Sequence, residues 1–416
     1  MIFYDHTSTL HSRLNTGIQR VVRQLGDALS EQARESFVPV IYRQGNFYRF
    51  SMGSTLDAYY SHRLRKLAWK LGSGSLRTVR RLCNQNRFLS QAKSSLFAFL
   101  EAREDKSGIV RLQGGDWYLT ADSIWTHPDI LQGLQSLRAA GVRTAIVLYD
   151  LIPVTNPEWV DPMNVKRFIP YTAALPSFDV VFCISEFVRQ GFLKFCQERS
   201  YRIPKKVVTI PMGYTFSQNA KPSNAMMLEG LKEPFVLCVG TLEPRKNHWL
   251  LLDAFDILWN RSVDLSLVVV GFPSFGYEKT LERMRIHRLS GQKLFYLSNC
   301  NDADLEELYN RCIFTVFPSF TEGFGLPLAE SLARGKPCIS SDIQVFRDSA
   351  GPFGIYCNPQ DPFSIATQIE NLYFDRERLE SLTASIRSQY SPPRWENSAR
   401  IILDTLRSVE AGPAKA

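Results

Sequence analysis

Short runs of apolar, mostly β-branched residues alternate along this chain with stretches whose apolar residues recur every three or four positions. That is the pattern of strands followed by amphipathic helices, and it predicts doubly wound α/β layers. The first unit is MIFYDHTS, a strand and loop, followed by NTGIQRVVRQLGDALSEQA, in which Ile18, Val21, Val22, Leu25 and Leu29 share one helical face. Asn15 or Thr16 supplies its cap. Further strands are expected at FVPVIYR, TAIVLYD, DVVFCIS and KVVTIP, which make one sheet. A polar stretch, MGYTFSQNAKPSNAMMLEGLKEP, then interrupts the rhythm. The alternation restarts with FVLCVG, LSLVVVG, KLFYLS, CIFTVFP and KPCISSD, which make a second sheet. The expected domains are therefore 1–214 and 215–394, with a linker at about 214–233 and a C-terminal helix and tail over 395–416.

Length agrees with this division, since 416 residues exceed one ordinary domain. Hydrophobic residues at 44% and charged residues at 22% exclude a disordered or membrane-spanning class. The longest apolar runs fall short of the ~20 residues that a spanning helix needs, and no signal peptide precedes the first strand, so a cytoplasmic protein is expected. Eight single cysteines without a CxxC pair read as buried free thiols, and of six histidines only His6 and His11 stand within five residues of each other, short of the three clustered ligands a catalytic zinc wants. No protein-built metal site is expected.

The formal net charge of +8 calls for an anionic partner. Between Ala58 and Leu100 there is no Asp or Glu, while nine Lys and Arg residues interleave with Leu64, Leu67, Trp69, Leu71, Leu76, Val79 and Leu82. Such a basic amphipathic insertion suits either an anionic membrane surface or a solvated face packed on its own domain. No nucleic-acid recognition motif accompanies the charge, so nucleic acid is not an expected partner.

The chemistry concentrates in FTEGFGLPLAESLARG, Phe320 to Gly335. Pro327 suits a first helical turn and Gly335 a stop, which places a helix from Leu326 or Pro327 to Arg334. Its amino end, preceded by EGFG, turns backbone N–H groups and a positive dipole end toward whatever lies beyond the strand, an arrangement that favours phosphate. Glu322 and Glu330 do not suit a bare anion site. A carboxylate accepts hydrogen bonds from vicinal hydroxyls, so one glutamate for a ribose and one for a second sugar, with a diphosphate between, describe a nucleotide sugar. GTLEPRKN supplies the counter-charge at the end of the second sheet's first strand, where Arg245 and Lys246 follow Gly240. The competing reading makes both solvated charges at a helix start, where cations oppose the dipole.

These two motifs resemble those of retaining glycosyltransferases of family 4. EGFGLPLAE fits that family's E-x7-E signature and GTLEPRKN its phosphate-binding turn. The resemblance implies a GT-B architecture, an α/β fold of two Rossmann-like domains facing a central cleft. It implies that Glu330 holds the ribose, Glu322 a hydroxyl of the transferred sugar, and the Phe324, Gly325 and Leu326 backbone the sugar and diphosphate. Arg245 and Lys246 would hold the diphosphate, with Gly240 beside them. Gly17 in NTGIQR resembles the family's glycine turn, Tyr296 and Ser298 lie in the segment that lines the base pocket, and the helix after Trp395 resembles a crossover helix. VLYDLIP resembles the His-Asp segment beside the donor sugar, but Tyr149 stands in place of His. Asp150 is carried over with that departure, and a strand-end turn is its alternative role.

The expected activity is transfer of a hexosyl group, with mannose from GDP-mannose favoured, from a nucleoside diphosphate sugar to a saccharide hydroxyl with retention. The motifs most resemble bacterial mannosyltransferases of surface polysaccharide synthesis, so a lipid-linked saccharide of O-antigen or lipopolysaccharide type is the expected acceptor. The inner membrane face is then a possible docking surface for 58–100. No metal or other cofactor is expected beyond the donor. A GT-B-shaped sugar-nucleotide epimerase and a non-catalytic nucleotide- or saccharide-binding partner are the alternatives.

Overall fold

The computed structural model describes residues 1–11, 17–50, 108–213, 224, 228–298 and 300–410. The basic 58–100 segment, the cap at Asn15 or Thr16, most of the 214–233 linker and the tail after residue 410 lie outside the described residues. Strands β1 to β8 belong to an eight-stranded sheet and β9 to β14 to a six-stranded one. Backbone contacts divide the chain into two compact units, Met1–Thr144 and Ala145–Ala416.

In the first unit, β1 (Ile2–Asp5) is buried along its whole length and pairs in parallel with β2 (Phe37–Arg43) and β5 (Trp117–Thr120). The helix Gly17–Ala33 buries Val21, Val22, Leu25 and Leu29, with Ile18 half-buried in its first turn. A two-residue turn at Gln44 and Gly45 returns the chain into β3 (Asn46–Arg49), antiparallel to β2. Both turn residues have positive φ, 47° and 81°, which matches the right-handed twist of a tight hairpin. The short β4 (Ile109–Val110) pairs with β3. The patterning predicts β1 and β2 but not β3, β4 or β5, whose runs are two to four residues long.

In the second unit, β6 (Arg143–Leu148), whose first two residues precede the boundary, pairs in parallel with β7 (Val180–Cys183), which pairs with β8 (Lys206–Thr209). The six-stranded sheet is parallel throughout, in the order β11-β10-β9-β12-β13-β14. Its first five strands, β9 (Phe235–Val239), β10 (Ser266–Val270), β11 (Leu294–Leu297), β12 (Phe314–Phe317) and β13 (Cys338–Ser341), fall on the five expected runs. The three-residue β14 (Ile355–Cys357) was too short to predict. Successive strands run outward from β9 to β11, and the chain then returns to β12 on the other side of β9. The carboxyl ends of β9 and β12 therefore flank the point where strand order reverses, the place where open α/β sheets bind ligands.

The helices His248–Asn260 and Pro362–Phe374 cover one face of this sheet with a core that includes Leu251, Phe255, Ile365 and Ile369. The C-terminal helix Trp395–Glu410 buries Trp395, Ala399, Ile402, Leu403 and Leu406, and the Ser398 hydroxyl donates to the Pro211 carbonyl just past β8. Six of the seven described cysteines are buried, Cys300 is half-buried, and all seven are free thiols. No helix among the described residues is long and apolar enough to cross a membrane.

Candidate active site

The chain leaves β9 through Gly240, whose carbonyl lies so close to Gly271 that any side chain at Gly271 would overlap it. One tight helical turn, Pro244–Lys246, follows, and Asn247 then adopts the left-handed conformation, with φ 61° and ψ 32°. That shape is tolerated because the Asn247 side chain donates to the Pro318 carbonyl at 3.0 Å and the Pro359 carbonyl at 2.7 Å. The Phe320 N–H donates to the Arg245 carbonyl at 2.8 Å. These bonds lace the turn after β9 to the loop after β12.

The lacing brings Arg245 and Lys246 onto Glu322. Arg245 Nη1 donates to Glu322 Oε2 at 2.9 Å and to the Thr321 carbonyl at 3.2 Å, while Nη2 lies 2.7 Å from Glu243 Oε1. The Thr241 hydroxyl donates to the same Glu243 oxygen at 3.0 Å. Lys246 Nζ donates to Glu322 Oε1 and sits 4.9 Å from the centre of the Phe317 ring. Neither cation is the solvated charge of the competing reading, for Lys246 is 8% exposed and the Arg245 side chain 19%. Burial alone would raise the Glu322 carboxyl, yet Arg245 and Lys246 outweigh it and hold the group down at about 2. Burial, then Arg245, press the Lys246 ammonium below its ordinary range against the pull of Glu322 and Glu243.

Beyond Glu322 the loop becomes a cradle. Gly325, at φ 92°, begins the helix Leu326–Ala333, with Pro327 in its first turn, one residue shorter than expected. A side chain on Gly325 would strike the Phe346 ring. The N–H groups of Phe324, Gly325 and Leu326 have no acceptor among the described residues. Three successive donors at a helix head, beside two buried cations, form a site for an anion. Glu330, 2% exposed on the next turn, accepts from the Tyr309 hydroxyl at 2.9 Å, and the Ser349 hydroxyl donates to the Phe324 carbonyl at 3.2 Å.

The ends of β6 and β7 reach the same loop within the second unit. The Ser185 hydroxyl donates to the Gly323 carbonyl at 2.7 Å, and a side chain on Gly323 would overlap the Tyr149 carbonyl. Asp150, next in sequence, accepts from the Ile152 N–H at 2.9 Å. Burial raises its carboxyl while the charge of Arg245 draws it down. The Trp159 ring stacks on Phe320, with centroids 4.9 Å apart and planes 18° from parallel.

Of the candidate residues, Arg245, Lys246, Glu322, Phe324, Gly325 and Gly240 belong to the loops after β9 and β12, Leu326 and Glu330 to the helix that follows β12, and Asp150 to the segment after β6 that meets the β12 loop. Tyr296, on the edge strand β11, donates from its hydroxyl to the Gly271 carbonyl at 2.9 Å, and Ser298 is exposed. Gly17 is exposed at the head of its helix in the first unit. Sequence reasoning passed over Glu243, Ser185 and Tyr309, which fix Arg245, the Gly323 loop and Glu330. Their signals were faint: a Ser just past a strand, and a Glu two residues before an Arg.

It also passed over two buried aspartates of the first unit. Asp5 accepts from Thr7 and, at 2.9 Å, from the Tyr118 hydroxyl, and Asp122 accepts from the Thr9 N–H at 2.7 Å. Burial, then the charge of Asp5, push the Asp122 carboxyl up to about 7.

Two Rossmann-like sheets, the second with an anion cradle at its switch point, define the GT-B architecture. Comparison with known proteins places a domain of the family described as glycosyl transferases group 1 over residues 226–389. The chain is 30% identical over 305 residues to the serotype-specific mannosyltransferase WbdA of Escherichia coli, an alignment covering 70% of this chain and 37% of WbdA. The chain thus spans well under half the length of that relative. It is 26% identical over 260 residues to O-antigen chain mannosyltransferase B of Escherichia coli, covering 61% of this chain and 68% of that one. Anabaena HepE, solved in complex with UDP and glucose, shares the fold at a TM-score of 0.61 and 16% identity, over 98% of this chain and 99% of that one.

Proposed function

We propose that this protein is a retaining glycosyltransferase that moves a hexosyl group, mannose by preference, from a nucleoside diphosphate sugar to a saccharide hydroxyl. The observation that carries this reading is that Arg245 and Lys246 are both held by Glu322, in the same loop whose Phe324, Gly325 and Leu326 N–H groups, at the head of the Leu326–Ala333 helix, have no acceptor among the described residues. Such a site takes a diphosphate and stabilises its departure. Arg245 and Lys246 supply the counter-charge a metal would otherwise provide, so on this reading no metal is required. Glu330 would take the ribose hydroxyls and Glu322 a hydroxyl of the sugar. Glu322, tied to two cations and held at about 2, is a poor nucleophile. That supports a same-face displacement, in which the C–O bond to the phosphate breaks as the acceptor oxygen attacks and the leaving phosphate receives the acceptor's proton.

The mannosyl preference and a lipid-linked acceptor of surface polysaccharide type rest on likeness to the two mannosyltransferases. A peripheral position on the membrane, through the basic 58–100 segment, extends the same reading. Flotation with anionic liposomes, which fails on deleting 58–100 if that segment docks, tests the membrane part. The reaction itself is tested by measuring nucleotide release from a panel of sugar nucleotides, with and without membrane extract as acceptor. Acceptor-dependent release from GDP-mannose is expected. Acceptor-independent release with an epimerised sugar contradicts transfer.

A further inference from the structure

The first unit contains a cavity of about 640 Å³ that the reaction above does not use. It lies between the β2–β3 hairpin, β4 and the segment after it, and one side of the helix Pro128–Ala139. Its size falls within the range usual for small-molecule sites.

The walls are a mixture that suits hydroxyls. Tyr42 and Phe47 are directly paired across β2 and β3, with ring centroids 5.0 Å apart, and give the cavity aromatic surface. The phenol end of Tyr42 rests against Gly133 of the helix, where an added Cβ would sit 3.0 Å from the phenol oxygen, so the lack of a side chain there lets the phenol approach the helix closely. Asp129 and Gln132 on the helix and Arg111 on the opposite wall have no hydrogen-bond or ionic partner among the described residues, and all three are exposed. Burial, then the charge of Asp129, raise the Tyr42 hydroxyl, which places phenol and carboxylate in one electrostatic neighbourhood.

Sugar hydroxyls both donate and accept, and these side chains offer an acceptor-only carboxylate, a donor-only guanidinium and an amide that does both. One positive and one negative charge cancel, so the cavity lacks the excess of cations that a nucleotide or phosphate requires. Ile109, Val110, Leu112 and Leu137 add apolar surface, but an acyl chain would leave Asp129, Gln132 and Arg111 without hydrogen-bond partners, whereas a sugar offers both an apolar face and hydroxyls.

We infer that this cavity is a second saccharide-binding site, which takes a segment of a neutral oligosaccharide. The catalytic residues proposed above, Arg245, Lys246 and Glu322, all belong to the second unit, so the two sites are built from separate parts of the chain. That the bound segment is part of the growing acceptor rests on the transferase reading; the binding itself does not.

Isothermal titration of the full-length protein with α-linked mannotetraose tests this site, with Asp129→Ala/Gln132→Ala as the main variant and Arg111→Ala as a second on the opposite wall. Each removed hydrogen bond to a hydroxyl is expected to weaken binding, roughly tenfold or more for the double variant. Nucleoside diphosphate binding, measured by thermal shift on the same samples, stays unchanged in both variants. Absence of mannotetraose binding to the unaltered protein, or equal binding in both variants, overturns the assignment. Lack of nucleotide binding with mannotetraose binding intact counts against the transferase reading alone.

Discussion

Arg245 Nη1 and Glu322 Oε2 lie 2.9 Å apart across 77 residues of sequence, and Lys246 grips the other oxygen of the same carboxylate. One buried anion therefore holds two buried cations at the mouth of the helix head. Removing that anion leaves adjacent cations desolvated without their shared partner. We expect Glu322→Ala to lower unfolding free energy by about 3–5 kcal/mol at neutral pH, read from the urea midpoint. A midpoint equal to that of the unaltered protein contradicts the pairing. The pH dependence follows in sign. Because the folded-state carboxyl is held at about 2, below its ordinary 4.5, its stabilisation is complete above about 4.5 and is lost as pH falls toward 2. Urea midpoints measured down this range should fall for the unaltered protein and fall less steeply for Glu322→Ala.

Lys246 is a buried ammonium bonded to Glu322, and on the transferase reading it meets the leaving phosphate. Lys246→Ala should lower kcat roughly 10²–10³-fold, the usual effect of removing one preorganised donor to developing charge. Unchanged kcat with a raised KM for donor would assign Lys246 to ground-state binding instead.

Glu330 accepts from the Tyr309 hydroxyl at 2.9 Å and is 2% exposed. A carboxylate that also takes ribose hydroxyls contributes to donor binding, so Glu330→Ala should raise the donor KM by about tenfold or more with a smaller change in kcat. Tyr309→Phe serves as the control: it removes the hydroxyl that bonds Glu330 and the Pro327 carbonyl while keeping the Glu330 carboxylate, and should shift stability by about 1 kcal/mol while leaving the donor KM within about twofold. Equal KM effects in both variants would mean that Glu330 acts only through packing.

Gly323 lets the loop after β12 come against the end of β6. A methyl group there overlaps the Tyr149 carbonyl, so Gly323→Ala must displace either the loop or the strand end. We expect a loss of about 1–3 kcal/mol together with a large loss of turnover. Ser185→Ala, which removes the hydroxyl that donates to the Gly323 carbonyl and caps the helix Glu186–Glu198 by accepting from the Val188 N–H, should cost about 1–2 kcal/mol and less activity. Thermal midpoints and turnover measured on the same preparations test the ranking.

Five of the six strands in the parallel sheet were legible because each is a run of four or five largely buried apolar or small residues after a polar break. The same physics hid β3, β4 and β14, where two to four residues carry too little pattern to separate a strand from a loop. The motif residues stood out because glycine, proline and paired charges at fixed spacing are rare without cause. What spacing cannot carry is partnership across the fold. That Arg245 and Lys246 share Glu322, that Glu243 fixes Arg245 from behind, and that Ser185 ties down Gly323 depend on β9 meeting β12 and on where β7 ends. Asp5 and Asp122 read as ordinary turn residues after strands, since burial is invisible at a single polar position.

On the reading proposed above, the turn after β9 and the helix head after β12 together hold a nucleoside diphosphate. The most direct measurement is the thermal midpoint of the full-length protein with millimolar GDP, UDP, ADP or dTDP, for the unaltered chain and for Lys246→Ala. A ligand at about 100 times its Kd adds about 2.7 kcal/mol to stability, so at least one diphosphate should raise the midpoint, and Lys246→Ala should abolish most of the rise. If no nucleotide raises the midpoint, or if Lys246→Ala responds as the unaltered protein does, the assignment of this cradle is wrong.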